Sequence, residues 1–281
     1  MHYETAPAKI NLTLDTLFKR EDGYHEVSMV MTTVDLNDQL SFEKRADNKI
    51  IIETENQYLP NDKKNLAYQA AALMMETYGI STGVNIFIDK NIPIAAGLAG
   101  GSSDAAATFR GMNALYGLGR PLEELADLSA QLGSDIPFCV YGRTALCTGR
   151  GEKISLLPKP TNAWVILAKP SVGVSTKTIY SQLDPGKHEP ASGKVVEAAL
   201  AGDYAGVIHH MKNDLEEVTV EHYPEVAKLI DNMEASGADK AMMSGSGPTV
   251  VGLVQKERQA IHVYNSMRGC CNEVYRVRLL G

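Results

Sequence analysis

The sequence predicts an α+β protein built as two domains, 1–158 and 159–281. Three observations point there. The chain has 281 residues, enough for one large or two medium domains, and a hydrophobic share of 44% fills a sizeable core. The first half alternates strand-like and helix-like segments around a strand, a glycine-rich loop and a helix, residues 84–116. The second half reads β-α-β-β-α-β with additional helices, the order of a ferredoxin-like domain. The stretch Pro158-Lys159-Pro160-Thr161 marks the boundary.

In the first half, polar and apolar residues alternate from Lys9, which gives a strand with one buried face. Lys9 and Asn11 share one side of it; Ile10, Leu12 and Leu14 share the other. Asp22-Gly23 is a turn, with Tyr24-His25 directly after it. Residues 27–34, 38–43 and 49–55 read as further strands. Asn65 caps a helix over Leu66–Tyr78 that ends at Gly79. Residues 84–88 form a strand, Lys90 follows it, and a helix is expected over 105–116. Pro121 opens a second, amphipathic helix that Gly133 closes. Asp135 stands between that glycine and Pro137 against an apolar segment, where a carboxylate is solvated, paired or caps its own turn. Short strands at 145–147 and 153–157 flank Gly149-Arg150-Gly151.

In the second half, an apolar strand at 163–169 surrounds Trp164. A polar connector over 171–180 leads into a short helix that carries Tyr180. Residues 187–192 read as a flexible loop. Helical patterns follow at 194–200 and 204–212, with a weaker one at 214–220. A clearer helix over Pro224–Ala235 has Gly237 as its C-cap. Strands at Lys240–Met243 and 249–254 are joined by Ser244-Gly245-Ser246-Gly247-Pro248. A helix at 257–267 and a strand at 273–279 finish the chain. Taken alone, Gly245-Ser246-Gly247 is a hairpin loop that needs positive φ.

The composition removes several function classes. Net charge is −7 and the isoelectric point about 5.5, so the whole-chain balance gives no support for a nucleic-acid partner. No apolar run approaches the roughly 20 residues of a membrane span, and no secretory leader pattern opens the chain. The four cysteines, Cys139, Cys147, Cys270 and Cys271, lack a C-x-x-C spacing, so reduced thiols and a cytoplasmic location are expected. His209, His210 and His222 form no metal constellation, because adjacent helix positions diverge by about 100°.

The chemistry concentrates in Asn91-Ile92-Pro93-Ile94-Ala95-Ala96-Gly97-Leu98-Ala99-Gly100-Gly101-Ser102-Ser103-Asp104. Glycines let a backbone approach a ligand and adopt positive φ. Successive N–H groups in such a loop make an anion-binding concavity, and a helix start behind it adds donors and the positive end of the macrodipole. The two readings are a phosphate cradle and a turn that merely packs a helix on a sheet. The loop is not a P-loop, which needs Lys where Ser102 stands. Its glycines do not space as a dinucleotide fingerprint, and the H-R-D and D-F-G motifs of protein kinases are absent.

The stretch from Pro93 to Ala106, Pro-x-x-Ala-Gly-Leu-x-Gly-Gly-Ser-Ser-x-Ala-Ala, resembles the phosphate loop of the GHMP kinases, which are small-molecule alcohol kinases. Other blocks agree in order: Pro7-Ala8-Lys9-Ile10-Asn11-Leu12, then Asp22-Gly23-Tyr24-His25, then Leu132-Gly133-Ser134-Asp135-Ile136-Pro137, then Ser244-Gly245-Ser246-Gly247-Pro248. Asp-Gly-Tyr-His is similar to the signature of the branch that acts on a cytidine-diphosphate-linked methylerythritol in the non-mevalonate isoprenoid route. The resemblance implies an N-terminal domain like ribosomal protein S5 domain 2 and a C-terminal ferredoxin-like domain, with ATP and substrate in the cleft between.

The resemblance also assigns roles. ATP with Mg²⁺ would phosphorylate the substrate's tertiary 2-hydroxyl, with Asp135 and Lys9 catalytic. Asn11, Tyr24, His25 and Tyr180 would bind the substrate, the last as a second aromatic on the cytosine. Asn65, Lys90, Pro93, Ala96, Gly97, Leu98, Ala99, Gly100, Gly101, Ser102 and Ser103 would bind ATP, with Ser103 also a Mg²⁺ ligand. Gly245, Ser246 and Gly247 would form a supporting turn. Asp104, an extra carboxylate beside a triphosphate, is expected to cap the following helix. The competing readings are a GHMP-type kinase of another alcohol, and a catalytically silent nucleotide-binding regulator. Retention of Lys9 and Asp135 argues against the regulator. The partner is a small molecule; monomer and homodimer stay open.

Overall fold

In a computed structural model all residues, 1–281, are described. The chain runs β1 (His2–Lys19), β2 (His25–Lys44), β3 (Ile50–Glu53), α1 (Leu66–Tyr78), β4 (Val84–Asp89), α2 (Gly100–Tyr116), α3 (Leu122–Ser129) and α4 (Ile136–Tyr141). It continues β5 (Thr144–Gly149), β6 (Lys153–Leu157), β7 (Trp164–Lys169), α5 (Thr176–Gln182), α6 (Ser192–Ala201), α7 (Tyr204–His210), β8 (Lys212–Asn213) and α8 (Asp214–His222). It ends α9 (Pro224–Ala235), β9 (Lys240–Met243), β10 (Val250–Val254), α10 (Glu257–Arg268) and β11 (Glu273–Arg278). The fold is α+β, as expected. Two compact units emerge, one of Met1–Ala8, Leu36–Ile94 and Ala99–Gly142, the other of Lys9–Asp35, Ala95–Leu98 and Arg143–Gly281.

In the first unit, β4 pairs antiparallel with Gln39–Lys44 of β2 and parallel with β3. Helices α1 and α2 pack together, and α4 lies against α2 and α3. Phe42, Met74, Ile86, Ile88 and Phe109 are fully buried here. Gly111 lets α2 sit directly on a ring: a Cβ there would come within 2.4 Å of Phe42. Truncating a buried Phe in such a core costs about 3–5 kcal/mol.

In the second unit, β5 pairs antiparallel with Val27–Thr32 of β2 and with β6. The two-residue β8 joins β1 in parallel, Thr13 opposite Lys212 and Leu14 opposite Asn213. A separate antiparallel sheet has the order β11-β7-β10-β9. That is the ferredoxin-like order expected from the sequence. Helix α9 packs on β9 and β10, and α10 on β7 and β11.

Several elements depart from the sequence expectation. The strands expected at 27–34 and 38–43 are one, because β2 changes partner along its length and stays extended through the change. Helix α2 starts at Gly100, not at 105; Gly100 belongs there because a Cβ would lie 2.9 Å from Lys90 Nζ. Asp104 is therefore inside the helix and not its cap; the cap position is Ala99, with no side-chain hydrogen bond. Helix α4 is not among the elements expected from the sequence. Pro137 falls in the first turn, where the missing N–H has no intrahelical partner to lose. Residues 187–192, expected to be flexible, are fastened at their end: the Ala191 and Ser192 N–H groups donate to the buried Asp15 carboxylate at 2.8–3.0 Å.

Candidate active site

Within the second unit, three stretches far apart in sequence meet around Lys9. Lys9 is 4% exposed and donates from Nζ to Asn11 Oδ1 at 2.7 Å. Its backbone N–H donates to the Leu98 carbonyl at 3.1 Å, which ties β1 to the glycine-rich loop. Ser244 Oγ donates to the Gly97 carbonyl at 3.3 Å and accepts the Asn11 N–H at 3.4 Å. A Cβ at Gly245 would lie 3.2 Å from the Gly97 oxygen, 3.4 Å from Lys9 Nζ and 3.7 Å from Asn11 Oδ1. A Cβ at Gly97 would press to 2.5 Å against the Ser244 carbonyl oxygen. Both glycines also hold positive φ, +74° and +58°. The expected supporting turn is thus packed on Lys9, Asn11 and Gly97.

The same unit holds the aromatic candidates. His25 and Tyr180 have ring centroids 5.2 Å apart at an interplanar angle of 40°. Tyr24 is more than half exposed, with the Arg150 guanidinium 5.0 Å from its ring centroid. Burial, and then the charge of Lys19, hold His25 below the usual imidazole range. His25 is therefore neutral at neutral pH, with one ring nitrogen to donate and one to accept. Arg150 gave no signal in the sequence beyond its position between two glycines.

In the first unit, the start of α2 has the geometry of an anion cradle. Its cap residue Ala99 takes positive φ, +55°, as do Ala95 and Gly97 of the second unit, at +53° and +74°. Ala95 and Ala99 each carry a cost of about 1–2 kcal/mol for that conformation. The Ser103 N–H makes the first helical bond, to the Ala99 carbonyl at 2.8 Å. The N–H groups of Gly100, Gly101 and Ser102 precede it and have no intrahelical acceptor. Ser103 Oγ donates to the Pro7 carbonyl at 2.7 Å, which leaves its lone pairs. Asn65 caps α1, accepting from the Ala67 N–H at 2.8 Å and donating to the Pro60 carbonyl at 2.7 Å.

Lys90 lies beneath this helix start, its ammonium donating to Asp38 and, at 2.8 Å, to Asp104. Asp38 also accepts the N–H groups of Asn91 and Ile92, at 2.6 and 2.8 Å. Two buried carboxylates share one ammonium. Burial, opposed by the Lys90 ammonium and reinforced by the charge of Asp38, pushes Asp104 up to about 8. Asp104 thus braces Lys90 rather than facing a triphosphate. The sequence offered no signal for Asp38, which read as a strand start.

Asp135 occupies the N-cap position of α4 and is half-buried; its side chain makes no capping hydrogen bond. The other end of α4 is held by Arg110, which donates to the Cys139 and Val140 carbonyls at 3.0 and 3.3 Å and pairs with Glu4 at 3.0 Å. The four cysteines form no disulfide. No helix is long and apolar enough to cross a membrane.

This architecture has counterparts. The description "GHMP kinases N terminal domain" matches residues 65–143, and "GHMP kinases C terminal" matches residues 195–273. A 4-diphosphocytidyl-2-C-methyl-D-erythritol kinase of Macrococcus caseolyticus is 61% identical over 283 residues, covering 100% of both chains. The chain belongs to the GHMP kinase family. It is an ATP-dependent small-molecule kinase. A crystal structure of 4-(cytidine 5'-diphospho)-2C-methyl-D-erythritol kinase superimposes on this kinase with a TM-score of 0.84, at 32% identity and with 100% of both chains covered. A homoserine kinase from Cytophaga hutchinsonii, at 20% identity and a TM-score of 0.80 over 98% of this chain and 94% of its own, shares the kinase's fold.

Proposed function

We propose that this kinase transfers the γ-phosphoryl group of ATP to the 2-hydroxyl of 4-diphosphocytidyl-2-C-methyl-D-erythritol. The observation that carries the reading is the Lys9–Asn11–Gly97–Gly245 cluster in the same unit as the His25–Tyr180 ring pair. A phosphate-handling group and a base-sized aromatic platform suit a substrate that is an alcohol at one end and a cytidine at the other. The names of the full-length relatives support the same substrate.

In this reaction the 2-hydroxyl oxygen attacks the γ-phosphorus, the bond from that phosphorus to the β–γ bridging oxygen breaks, and ADP leaves. Asp135 accepts or orients the hydroxyl proton. Lys9 offsets negative charge on the group in flight. Asn11 hydrogen-bonds the substrate while holding the Lys9 ammonium at a fixed distance. A loose phosphoryl transition state requires this kind of positioning and charge compensation more than covalent help. Tyr24 and Tyr180 offer faces to the cytosine, and neutral His25 reads its edge. On the nucleotide side, residues 97–103 surround the phosphates, with Asn65 and Lys90 toward adenine and ribose.

Mg²⁺ bound with the triphosphate would neutralise charge on its oxygens. The Ser103 hydroxyl suits a ligand role chemically, since its proton goes to Pro7 and its lone pairs remain. Asp104 does not, because its Oδ2 accepts from the buried Lys90 ammonium. The kinase works in the cytoplasm, with a domain boundary near Pro158. Coupled ADP release with the cytidyl alcohol, beside mevalonate, homoserine and galactose, tests the assignment. Turnover confined to the cytidyl alcohol is expected; turnover of another alcohol instead overturns the substrate and the roles of Tyr24 and His25.

A further inference from the structure

The turn beneath Lys9 is held from behind by the start of α8, which none of the site motifs includes. Asn213 is the N-cap of α8: its Oδ1 accepts the Leu215 N–H at 3.0 Å. Its Nδ2 donates to both the Met243 and the Gly245 carbonyls at 2.8 Å, the two carbonyls that flank Ser244. Glu216, three residues after the cap, accepts the Met243 N–H at 2.7 Å. The next helical turn adds Thr219, whose hydroxyl reaches the Ser246 carbonyl at 3.5 Å. The same helix start is also tied to the strand that bears Lys9. Asn213 pairs with Leu14 in the β8–β1 ladder, and Asp214 accepts both the backbone N–H and the hydroxyl of Thr16, at 2.8 and 3.2 Å.

We propose that Asn213 and Glu216 are positioning residues for phosphoryl transfer: together they clamp the Met243–Gly245 backbone, and through it set Lys9, Asn11 and Gly97. The Ser244 hydroxyl bridges Asn11 and Gly97, and Gly245 is the floor under the Lys9 ammonium. Asn213 fixes the backbone on both sides of Ser244. A shift of the turn moves the bridge and the floor together, and positional errors of about 1 Å in a catalytic group cost on the order of 100-fold in rate. Glu216 acts from the wall of a cavity of about 350 Å³ that Met211, Lys212 and Met242 also line. Substitution there replaces one hydrogen bond and admits solvent, with no core to collapse.

The proposal rests on the assignment of Lys9 to the kinase reaction, and the test separates the two. Asn213→Ser keeps an N-cap oxygen and removes both Nδ2 donors. Glu216→Gln keeps the acceptor for Met243 and serves as the conservative rescue of Glu216→Ala. The expected result for Asn213→Ser is a kcat lower by about 10- to 100-fold with KM for ATP changed less than about threefold. A melting point within a few degrees of wild type accompanies it. Glu216→Ala falls in the same direction, and Glu216→Gln recovers most of the loss. Asn113→Ser, which cuts the paired bonds to Arg120 in a turn of the other unit, keeps wild-type kcat. Hydrogen exchange of the peptide spanning 243–249 is followed in the same full-length proteins, and it should speed up at least tenfold in Asn213→Ser. That reading needs no substrate, so it holds even if the alcohol has been misassigned. Unchanged exchange at 243–249, or faster exchange with wild-type kcat on an active substrate, overturns the positioning role.

Discussion

The two glycine-rich turns, 95–103 and 244–248, are built for opposite tasks. The first ends in a helix whose cap residue is an alanine, so the donors of Gly100, Gly101 and Ser102 have neither an intrahelical acceptor nor a capping side chain. The strain of two left-handed alanines is retained beside them. In the second, the backbone polar groups around Ser244 are taken up by Asn213, Glu216 and Thr219. One turn leaves donors without an intrahelical acceptor; the other has its polar groups taken up in holding it in place. Glycine serves a different purpose in each. Gly97 and Gly245 are small so that the turns can touch, whereas a Cβ on Gly101 would meet only ordinary contact, with Leu66 at 3.6 Å.

The largest effect should come from chemistry that leaves both turns intact. Asp135→Asn is expected to lower kcat by about 1,000-fold or more while the dissociation constant for ATP, measured by calorimetry, stays within about threefold. Unchanged turnover would remove Asp135 from the mechanism. Next is Gly97→Ala, which breaks the contact between the turns. A Cβ at 2.5 Å from a carbonyl oxygen, in a residue at φ +74°, should destabilise the fold by about 2–4 kcal/mol in denaturant titration. Gly101→Ala, by contrast, should melt near wild type. Equal losses at the two positions would erase the distinction drawn between them.

A third prediction concerns the support beneath the first turn. Asp104 is raised to about 8 in the folded chain and lies near 3.9 unfolded, so the folded state holds the extra proton between those values. Its contribution is fully present below about pH 4 and is lost as pH rises through about 8. Asp104→Asn should flatten that part of the pH–stability curve; an unaltered slope would mean that the proton sits elsewhere. A smaller effect is expected at the base platform. Tyr24→Ala should raise KM for the cytidyl alcohol about tenfold at constant kcat, in line with about 1–3 kcal/mol for a base–aromatic stack. An unchanged KM would leave the cytosine to His25 and Tyr180.

The sequence made legible what depends on local pattern. Lys9 and Asn11 share a face because a strand has a period of two, and the glycine-rich stretch announced that a helix follows, though the helix starts at Gly100 and not at 105. The cap of α1 at Asn65 and the ferredoxin-like order followed from caps and spacing. Contacts between distant segments were not legible. Nothing near Asp104 discloses that Lys90 and Asp38 wait across the fold, so a helix-cap role was the natural and mistaken assignment. Helix α4, only six residues long, was missed, although its proline sits in the first turn where helices accept it. Asn213 could have been found: Asn213-Asp214-Leu215-Glu216 has the spacing of a capping box. Its hold on Gly245, 32 residues onward, could not.

The most direct test of the central claim is a ³¹P nuclear magnetic resonance spectrum of the products of ATP, Mg²⁺ and 4-diphosphocytidyl-2-C-methyl-D-erythritol. The account predicts one new phosphomonoester resonance, coupled to no proton because the 2-carbon is tertiary, appearing in step with ADP. Inorganic phosphate in place of that ester, or a phosphomonoester split by carbinol protons, would contradict it.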